Sequence, residues 1–188
     1  MRRPIVKYGD PVLRAKGKRI AVVDEKIRAL VVDMLETMHA ANGVGLAAQQ
    51  VGEPLQLTVL DISEVEDRPS TLKLGGEEID PLSAMPLILL NPQLSLHGGT
   101  ESGPEGCLSF PEINADIDRA EMVVVKAETL EGSVIELEAS GLLARALQHE
   151  VDHLNGILFI DRMSSASKAS LASKLKRMQK ETQRATRV

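Results

Sequence analysis

Apolar residues recur at helical spacing in three parts of the chain. Over residues 27–38 they fall every three or four positions, directly after Asp24, whose carboxylate suits a helix N-cap. Residues 142–154 show the same spacing, which predicts a second helix. The last segment, residues 164–188, predicts a third helix with a thinner apolar stripe, formed by Leu171, Leu175 and Met178.

Shorter apolar runs indicate strands. Residues 55–62 and 86–90 are mostly apolar, which is typical of buried strands. Residues 122–130 and 133–139 alternate apolar and polar side chains on either side of a Glu-Gly pair. This alternation around a turn sequence predicts a β-hairpin.

The predicted helices and strands are mixed without repeated strand–helix–strand units, so the fold class is α+β. We expect small antiparallel or mixed sheets packed around the helix of residues 142–154, with the third helix at the C-terminal end. A length of 188 residues suits a single domain over residues 1–188. Residues 64–86 contain six acidic side chains, paired glycines and no clear period, and they predict an irregular surface loop.

The composition excludes some functions. Only three aromatic side chains of the Phe and Tyr types are present and Trp is absent, so a base-stacking platform for nucleic acid has almost nothing to be built from. We therefore expect no sequence-specific nucleic-acid partner. One cysteine excludes an internal disulfide and fits a reducing compartment. Neither a signal peptide nor a membrane-length apolar stretch is visible, so we expect a cytoplasmic protein without a membrane partner.

The charge is unevenly distributed. The net charge is −5, but seven basic residues and one acid follow position 167, so this end carries +6 and the remainder −11. A basic segment on an acidic body suggests a polyanionic partner for residues 164–188. A solvated terminal helix explains the same charges, and both interpretations stay open.

The strongest chemical signal is the pentapeptide His149-Glu150-Val151-Asp152-His153. On a helix, residues four apart lie on the same face with Cβ atoms roughly 5–6 Å apart, so both imidazoles can bind one metal ion. The intervening Glu150 is turned enough to reach a metal-bound water and act as its general base. The alternative is two unrelated histidines on a core-facing helix, and the glutamate between them disfavours it.

A catalytic site of this kind needs a third protein ligand and one open position. The metzincin protease pattern requires a histidine where this chain has Phe159, and the downstream acid of gluzincin-type proteases would have to be Glu181 in the basic tail. Cys107 lies in a short segment bracketed by Pro104 and Pro111 and is the better candidate. A nucleophilic cysteine is a competing interpretation, but the best histidines to serve as its base are already assigned to the metal.

Three segments together are similar to the signature motifs of peptide deformylases. They occur in the same order as in that family and are residues 43–50 (GVGLAAQQ), 105–109 (EGCLS) and 148–153 (QHEVDH). The resemblance extends from about Pro4 to Ser164. It departs from the family at residues 64–86, which look like an insertion, and at Asn114, where several members have Arg or Tyr.

The resemblance implies a hydrolase that removes the N-formyl group from the formylmethionine of newly synthesised polypeptides and releases formate. It implies that Cys107, His149 and His153 hold one divalent metal, with Fe²⁺ favoured in the cell and Zn²⁺ or Ni²⁺ able to replace it. It also implies two donors that stabilise the oxyanion, the side-chain amide of Gln50 and the backbone N–H of Leu108.

Substrate binding is expected near the first motif. Its glycines let a peptide approach the backbone closely, with Gly45 as a hydrogen-bonding partner. A methionine side chain needs an apolar pocket, for which Val44, Leu142 and Ala146 are candidate walls, although all three would also serve as ordinary core. The ribosome is a candidate partner of the basic end, because ribosomal RNA is a dense polyanion.

Two other functions fit parts of the sequence. A zinc metallopeptidase that cleaves ordinary peptide bonds would share the histidine motif but would need neither Cys107 nor Gln50. A ribosome-associated binding protein with a structural metal would have a fourth protein ligand, and Glu150 would be dispensable.

Overall fold

A seven-stranded antiparallel sheet forms the framework. The computed structural model describes residues 1–186, and Arg187 and Val188, which belong to the predicted basic tail, lie outside the described residues. The strands follow the spatial order β1-β2-β5-β6-β7-β3-β4. Their bounds are β1 Gly45–Ala47, β2 Leu57–Leu60, β3 Ser70–Leu74, β4 Glu77–Ile79, β5 Leu87–Gly106, β6 Asn114–Glu128 and β7 Val134–Ser140.

Three α-helices accompany the sheet, and the α+β class with a C-terminal helix is confirmed. Their bounds are α1 Glu25–Ala40, α2 Gly141–Leu154 and α3 Ser165–Ala185. Asp24 caps α1 as expected, because its carboxylate accepts a hydrogen bond from the Ile27 N–H at 3.0 Å. Within the described residues, no helix combines the length and apolar character needed to cross a bilayer.

Helix α2 packs across the sheet and against β1, β2 and β6. Every residue from Leu142 to Leu154 is buried, including the charged and polar ones. A buried charge without a partner is costly, so most polar side chains of this helix have partners inside the protein. These partners form the site described below.

Strand β5, which forms a long hairpin with β6, ends directly before Cys107. The two strands pair from Leu90 opposite Glu128 to Gly106 opposite Asn114, with register shifts between Leu90 and Gln93 and between His97 and Thr100. The apolar run predicted only the first residues of β5. Most of the strand beyond Asn91 is solvent-exposed, so pairing with β6 stabilises it without an alternating apolar pattern.

The predicted hairpin is confirmed as β6 and β7, which pair from Met122 opposite Ser140 to Glu128 opposite Val134. The expectation of several small sheets is wrong for residues 1–186, because all seven strands belong to one sheet. The reason is that β3 pairs with β7, so the segment expected to be a separate loop extends the same sheet.

The prediction of an irregular loop over residues 64–86 is therefore also wrong. The segment contains β3 and β4, which form an antiparallel pair with Leu72 opposite Ile79. Leu72 is the only buried residue of the two strands. Without a second buried position, the segment has no period that a sequence pattern can reveal.

Helix α3 packs on the outside of the site. The predicted stripe of Leu171, Leu175 and Met178 contacts a core cluster that contains Phe110 and Phe159. Tyr8 stacks on Phe110 with ring centroids 4.8 Å apart. The scarce aromatic residues are thus packed together near Cys107 rather than exposed for stacking with bases.

Candidate metal centre

Helix α2 and the end of β5 bring three potential ligands together. His149 and His153 lie one turn apart on α2, with ring centroids 4.9 Å apart. Cys107 follows the last residue of β5, and its Sγ lies 3.3 Å from Nε2 of His153. The sulfur and one nitrogen of each ring all lie within 4.8 Å of one another. One divalent ion can therefore reach all three.

The donor set fits a divalent transition metal. Nδ1 of His149 is held by Glu105 at 2.9 Å, which leaves Nε2 as the ring atom for a metal. A thiolate with two imidazoles is a ligand set that zinc, iron, nickel or cobalt accepts. Such a set provides three protein ligands and leaves a vertex for a fourth, as hydrolytic sites require.

The two imidazoles differ electrostatically. Burial opposes a charge on His149, but hydrogen bonds with Cys107 and Glu105 outweigh it and raise the pKa of this ring. Burial lowers the pKa of His153, and the neighbouring His149 lowers it further. Two positive charges at this separation repel in a buried site, so a charge on one ring opposes a charge on the other.

A network of buried ion pairs surrounds the histidine side. Arg119 donates to both carboxylate oxygens of Glu105, at 2.7 and 2.9 Å, and to Asp152 at 2.6 Å. Arg145 donates to the same Glu105 at 3.1 Å. Burial would raise the pKa of Glu105, but Arg119 and His149 outweigh it and lower the pKa to about 2. Glu105 is thus an anion that fixes the orientation of the His149 ring.

Glu150 lies beside this cluster with one oxygen unpaired. The residue is 4 % exposed, and its buried Oε2 has no hydrogen-bond partner among the described residues. Burial raises the pKa of Glu150 to about 7, and the charge of His149 opposes this rise. A Cβ at Gly45 would lie 2.4 Å from Oε1 of Glu150, so only glycine at position 45 leaves room for the carboxylate.

Gln50 is oriented by a backbone group. Its Oε1 accepts a hydrogen bond from the Ala47 N–H at 2.9 Å. This contact determines which end of the amide faces the site, and Nε2 lies 3.5 Å from Sγ of Cys107 and 3.2 Å from Oγ of Ser109. The amide therefore presents its N–H groups to the cluster, as an oxyanion donor would.

A cavity of about 510 Å³ opens onto these groups. The candidate ligands Cys107 and His149 line it, as do Glu150, Gln50 and Leu108. The four residues predicted to bind substrate also line it, namely Val44, Gly45, Leu142 and Ala146. The volume lies in the range of small-molecule binding pockets.

Asn114 lies at the edge of the same cavity. A Cβ at Gly106 would approach its Oδ1 to 2.5 Å, so the side chain packs directly against the backbone before Cys107.

The positions that the metzincin and gluzincin patterns would use do not contribute to this cluster. Phe159 packs beside the His149 ring with centroids 6.0 Å apart, as part of the core. Glu181 is exposed on α3 near Arg177.

Sequence reasoning missed Arg119 and Arg145. Arg119 lies on the same buried face of β6 as Ile117 and Val123, and Arg145 lies one turn before His149 on α2. A charged residue at an inward position of a strand indicates a buried ion pair. The strand predicted from the sequence began only at residue 122, so the inward position of Arg119 became visible once β6 was found to begin at Asn114.

The sequence is similar to those of known peptide deformylases. A family model described as "Polypeptide deformylase" matches residues 2–169. A peptide deformylase of Opitutus terrae is 42% identical over 186 residues, which cover 98% of this chain and 96% of that protein. One of Methylacidiphilum infernorum is 46% identical over 176 residues, which cover 94% and 92%.

A solved structure agrees with the sequence matches. The crystal structure of peptide deformylase from Thermus thermophilus superposes with a TM-score of 0.80 at 37% identity, and the match covers 96% of this chain and 99% of that chain. The chain therefore belongs to the polypeptide deformylase family.

Proposed function

We propose that this enzyme removes the N-formyl group from formylmethionyl peptides through a metal held by Cys107, His149 and His153, with Glu150 as the general base. The observation that carries the assignment of residues is the buried carboxylate beside the three converging ligand atoms. A buried carboxylate oxygen without a partner is costly, so its retention calls for a function. Proton transfer in a water-accessible cavity supplies one.

The reaction divides into steps that the chain's own groups perform. A bound divalent ion would supply Lewis acidity, which makes water a better nucleophile at neutral pH. Glu150 takes the proton of the attacking water. The water oxygen bonds to the formyl carbon, the C–N bond breaks, and Glu150 returns the proton to the leaving amine, so that formate and a free N-terminal methionine result.

Two donors stabilise the negative charge that develops on the formyl oxygen. Nε2 of Gln50 faces the cluster because the Ala47 N–H holds the other end of the amide. The backbone N–H of Leu108 is the second donor in the proposal, and Leu108 lines the same cavity. Donors fixed in advance do not have to reorganise as the charge forms, which is the main source of their effect.

The substrate binds in the cavity in this proposal. Val44, Leu142 and Ala146 supply apolar walls for the methionine side chain. Gly45 belongs to β1, a strand paired on one side with β2, so its backbone groups on the other side are open to an extended peptide. We infer that residues 1–188 act as one catalytic domain, since all seven strands of residues 1–186 form one sheet and α2 packs across it.

Formate release is the direct test. The protein is purified anaerobically, loaded in parallel with Fe²⁺, Zn²⁺ or Ni²⁺, and incubated with formyl-Met-Ala. We expect formate with each metal and the highest rate with Fe²⁺, which we propose as the ion in the cell. Acetyl-Met-Ala is the matched control. Metal-loaded protein that releases no formate would contradict the proposal.

The cysteine separates this chemistry from a metallopeptidase that needs only the histidine helix. We expect Cys107→Ser to lose bound metal and formyl-peptide hydrolysis together, because serine is a poor ligand for these ions. Metal content by elemental analysis and formate release are measured on the same preparation. Unchanged activity would remove Cys107 from the ligand set.

We also propose that the exposed face of α3 docks on the ribosome, where formylated chains emerge in the cytoplasm. Lys176, Lys180 and Arg184 are exposed on this helix, while its apolar stripe is occupied by the core. Replacing these three residues by Glu keeps the stripe, whereas truncation would remove it. We expect weaker, salt-dependent co-sedimentation with ribosomes and unchanged hydrolysis of formyl-Met-Ala. Equal co-sedimentation would refute the docking.

A further inference from the structure

Lys7 lies beside the cysteine turn and outside the three motifs. Its Nζ donates a hydrogen bond to the carbonyl oxygen of Leu108 at 2.7 Å. The side chain is half-buried and lines the same cavity as Cys107 and Glu150. A cationic group is thus held next to the turn that carries a proposed metal ligand and a proposed oxyanion donor.

The contact lies at the centre of that turn. Residues 107–110 form a turn closed by the hydrogen bond from the Phe110 N–H to the Cys107 carbonyl, at 2.8 Å. Leu108 and Ser109 are its central residues, and Lys7 holds the carbonyl of the peptide that joins them. Because adjacent peptide planes share one Cα, fixing this carbonyl restricts the direction of the Leu108 N–H.

The backbone on either side of Lys7 reinforces this arrangement. The Val6 N–H donates to the carbonyl of Gln50 at 2.8 Å, and the Tyr8 N–H donates to the carbonyl of Ser109 at 3.0 Å. The same short segment therefore binds both loops that carry the proposed oxyanion donors. Lys7 lies between these two bonds and supplies the side-chain contact to Leu108.

The charge of Lys7 is close to the thiol. Burial lowers the pKa of Lys7, while the charge of Cys107 acts in the opposite direction and raises it. A hydrogen bond from a charged donor to a carbonyl is stronger than one from a neutral donor, so a lysine holds the turn more firmly than a neutral side chain would.

We propose that Lys7 is a positioning residue of the deformylation reaction, which holds the Leu108 carbonyl so that the Leu108 N–H points at the developing oxyanion. The inference rests on the proposed role of Leu108. In this proposal the N-terminal segment aligns the two oxyanion donors, although none of the three motifs includes that segment.

The test compares three variants of the full-length, metal-loaded enzyme. Lys7→Met removes the charge and the hydrogen bond but keeps the length of the side chain. Lys7→Arg keeps both the charge and the donors. Lys16→Met is the matched control, because Lys16 is an exposed lysine of the same N-terminal region.

The expected result is a split between kcat and KM. Loss of an entire oxyanion donor costs roughly 100–1000-fold in kcat, so misdirecting one by Lys7→Met should lower kcat at least about tenfold. KM should stay within about twofold, since the donor acts on the transition state. Lys7→Arg should recover most of kcat, and Lys16→Met should match the wild type.

A second measurement does not depend on turnover. The visible absorption of the Co²⁺-loaded protein reports thiolate ligation, and it should be the same in Lys7→Met and the wild type. If Lys7→Met has the kcat of Lys16→Met while the wild type releases formate, the role of Lys7 is refuted and the proposed function stands. If kcat falls and the cobalt absorption is lost to the same extent in Lys7→Met and Lys7→Arg, Lys7 is only structural and the inference fails. If the wild type releases no formate, both proposals fail.

Discussion

The two sides of the proposed metal centre are held in place by different forces. On the histidine side, α2 is buried and its proposed ligand His149 is oriented by Glu105, which is itself held by Arg119 and Arg145. On the thiol side, Cys107 lies in a turn held by backbone hydrogen bonds and by Lys7. The ion-pair network is coupled and resists local movement. The turn has fewer constraints, so single substitutions there should change alignment more than stability.

Glu150→Gln tests whether Glu150, on the histidine side, transfers the proton, and it should have the largest effect on kcat. The amide keeps the shape of the side chain but cannot accept the proton of water, so kcat should fall by roughly 100–10,000-fold. Metal content should not change. Formate release and elemental analysis check both statements, and turnover near the wild-type rate would show that the base lies on the other side.

Gly45→Ala tests the contact between the first motif and α2. The added Cβ would lie 2.4 Å from Oε1 of Glu150, so the carboxylate must move. A displacement of about 1 Å can cost on the order of 100-fold in rate, and we expect a loss of kcat of that size. Steady-state kinetics measure it. Ala at this position with full activity would mean that Glu150 works from another rotamer.

Arg119→Met sharpens the comparison by removing the centre of the ion-pair network. Its side chain is 3% exposed, and removing one partner of a buried pair costs about 3–5 kcal/mol of unfolding free energy. Metal affinity should also fall by roughly 10–100-fold, because Glu105 loses its anchor. Denaturant unfolding and metal titration measure the two effects. If turnover falls while metal affinity stays unchanged, the proposal that Glu105 and Arg119 hold His149 in place for metal binding is contradicted.

Arg162→Met is the matched control and should have the smallest effect. Arg162 binds the same carboxylate as Arg119, namely that of Asp152, but its side chain is 42% exposed. Exposed ion pairs contribute about 0–1 kcal/mol, so unfolding free energy should change by no more than that. Metal affinity should equal that of the wild type. A loss as large as that of Arg119→Met would mean that burial does not determine the strength of this network.

Much of this protein was predictable from local sequence. The spacing of His149 and His153 predicted that both imidazoles lie on one face once residues 142–154 were recognised as helical, because a helical turn brings residues four apart onto one side. The Asp24 cap and the β6–β7 hairpin were likewise local patterns. Their stabilising contacts lie within a few residues of chain, so the sequence alone contains them.

Other features depended on the tertiary structure. The pairing of β3 with β7 was invisible because Leu72 is the only buried residue of the β3–β4 pair. The partners of Arg119 come from β5 and α2, and the group that Lys7 holds lies about one hundred residues away. Local patterns record which side chains are apolar, but the partner of a buried charge is set by which strands and helices meet. The sequence therefore determined the kind of chemistry, and the fold decided how each ligand is held.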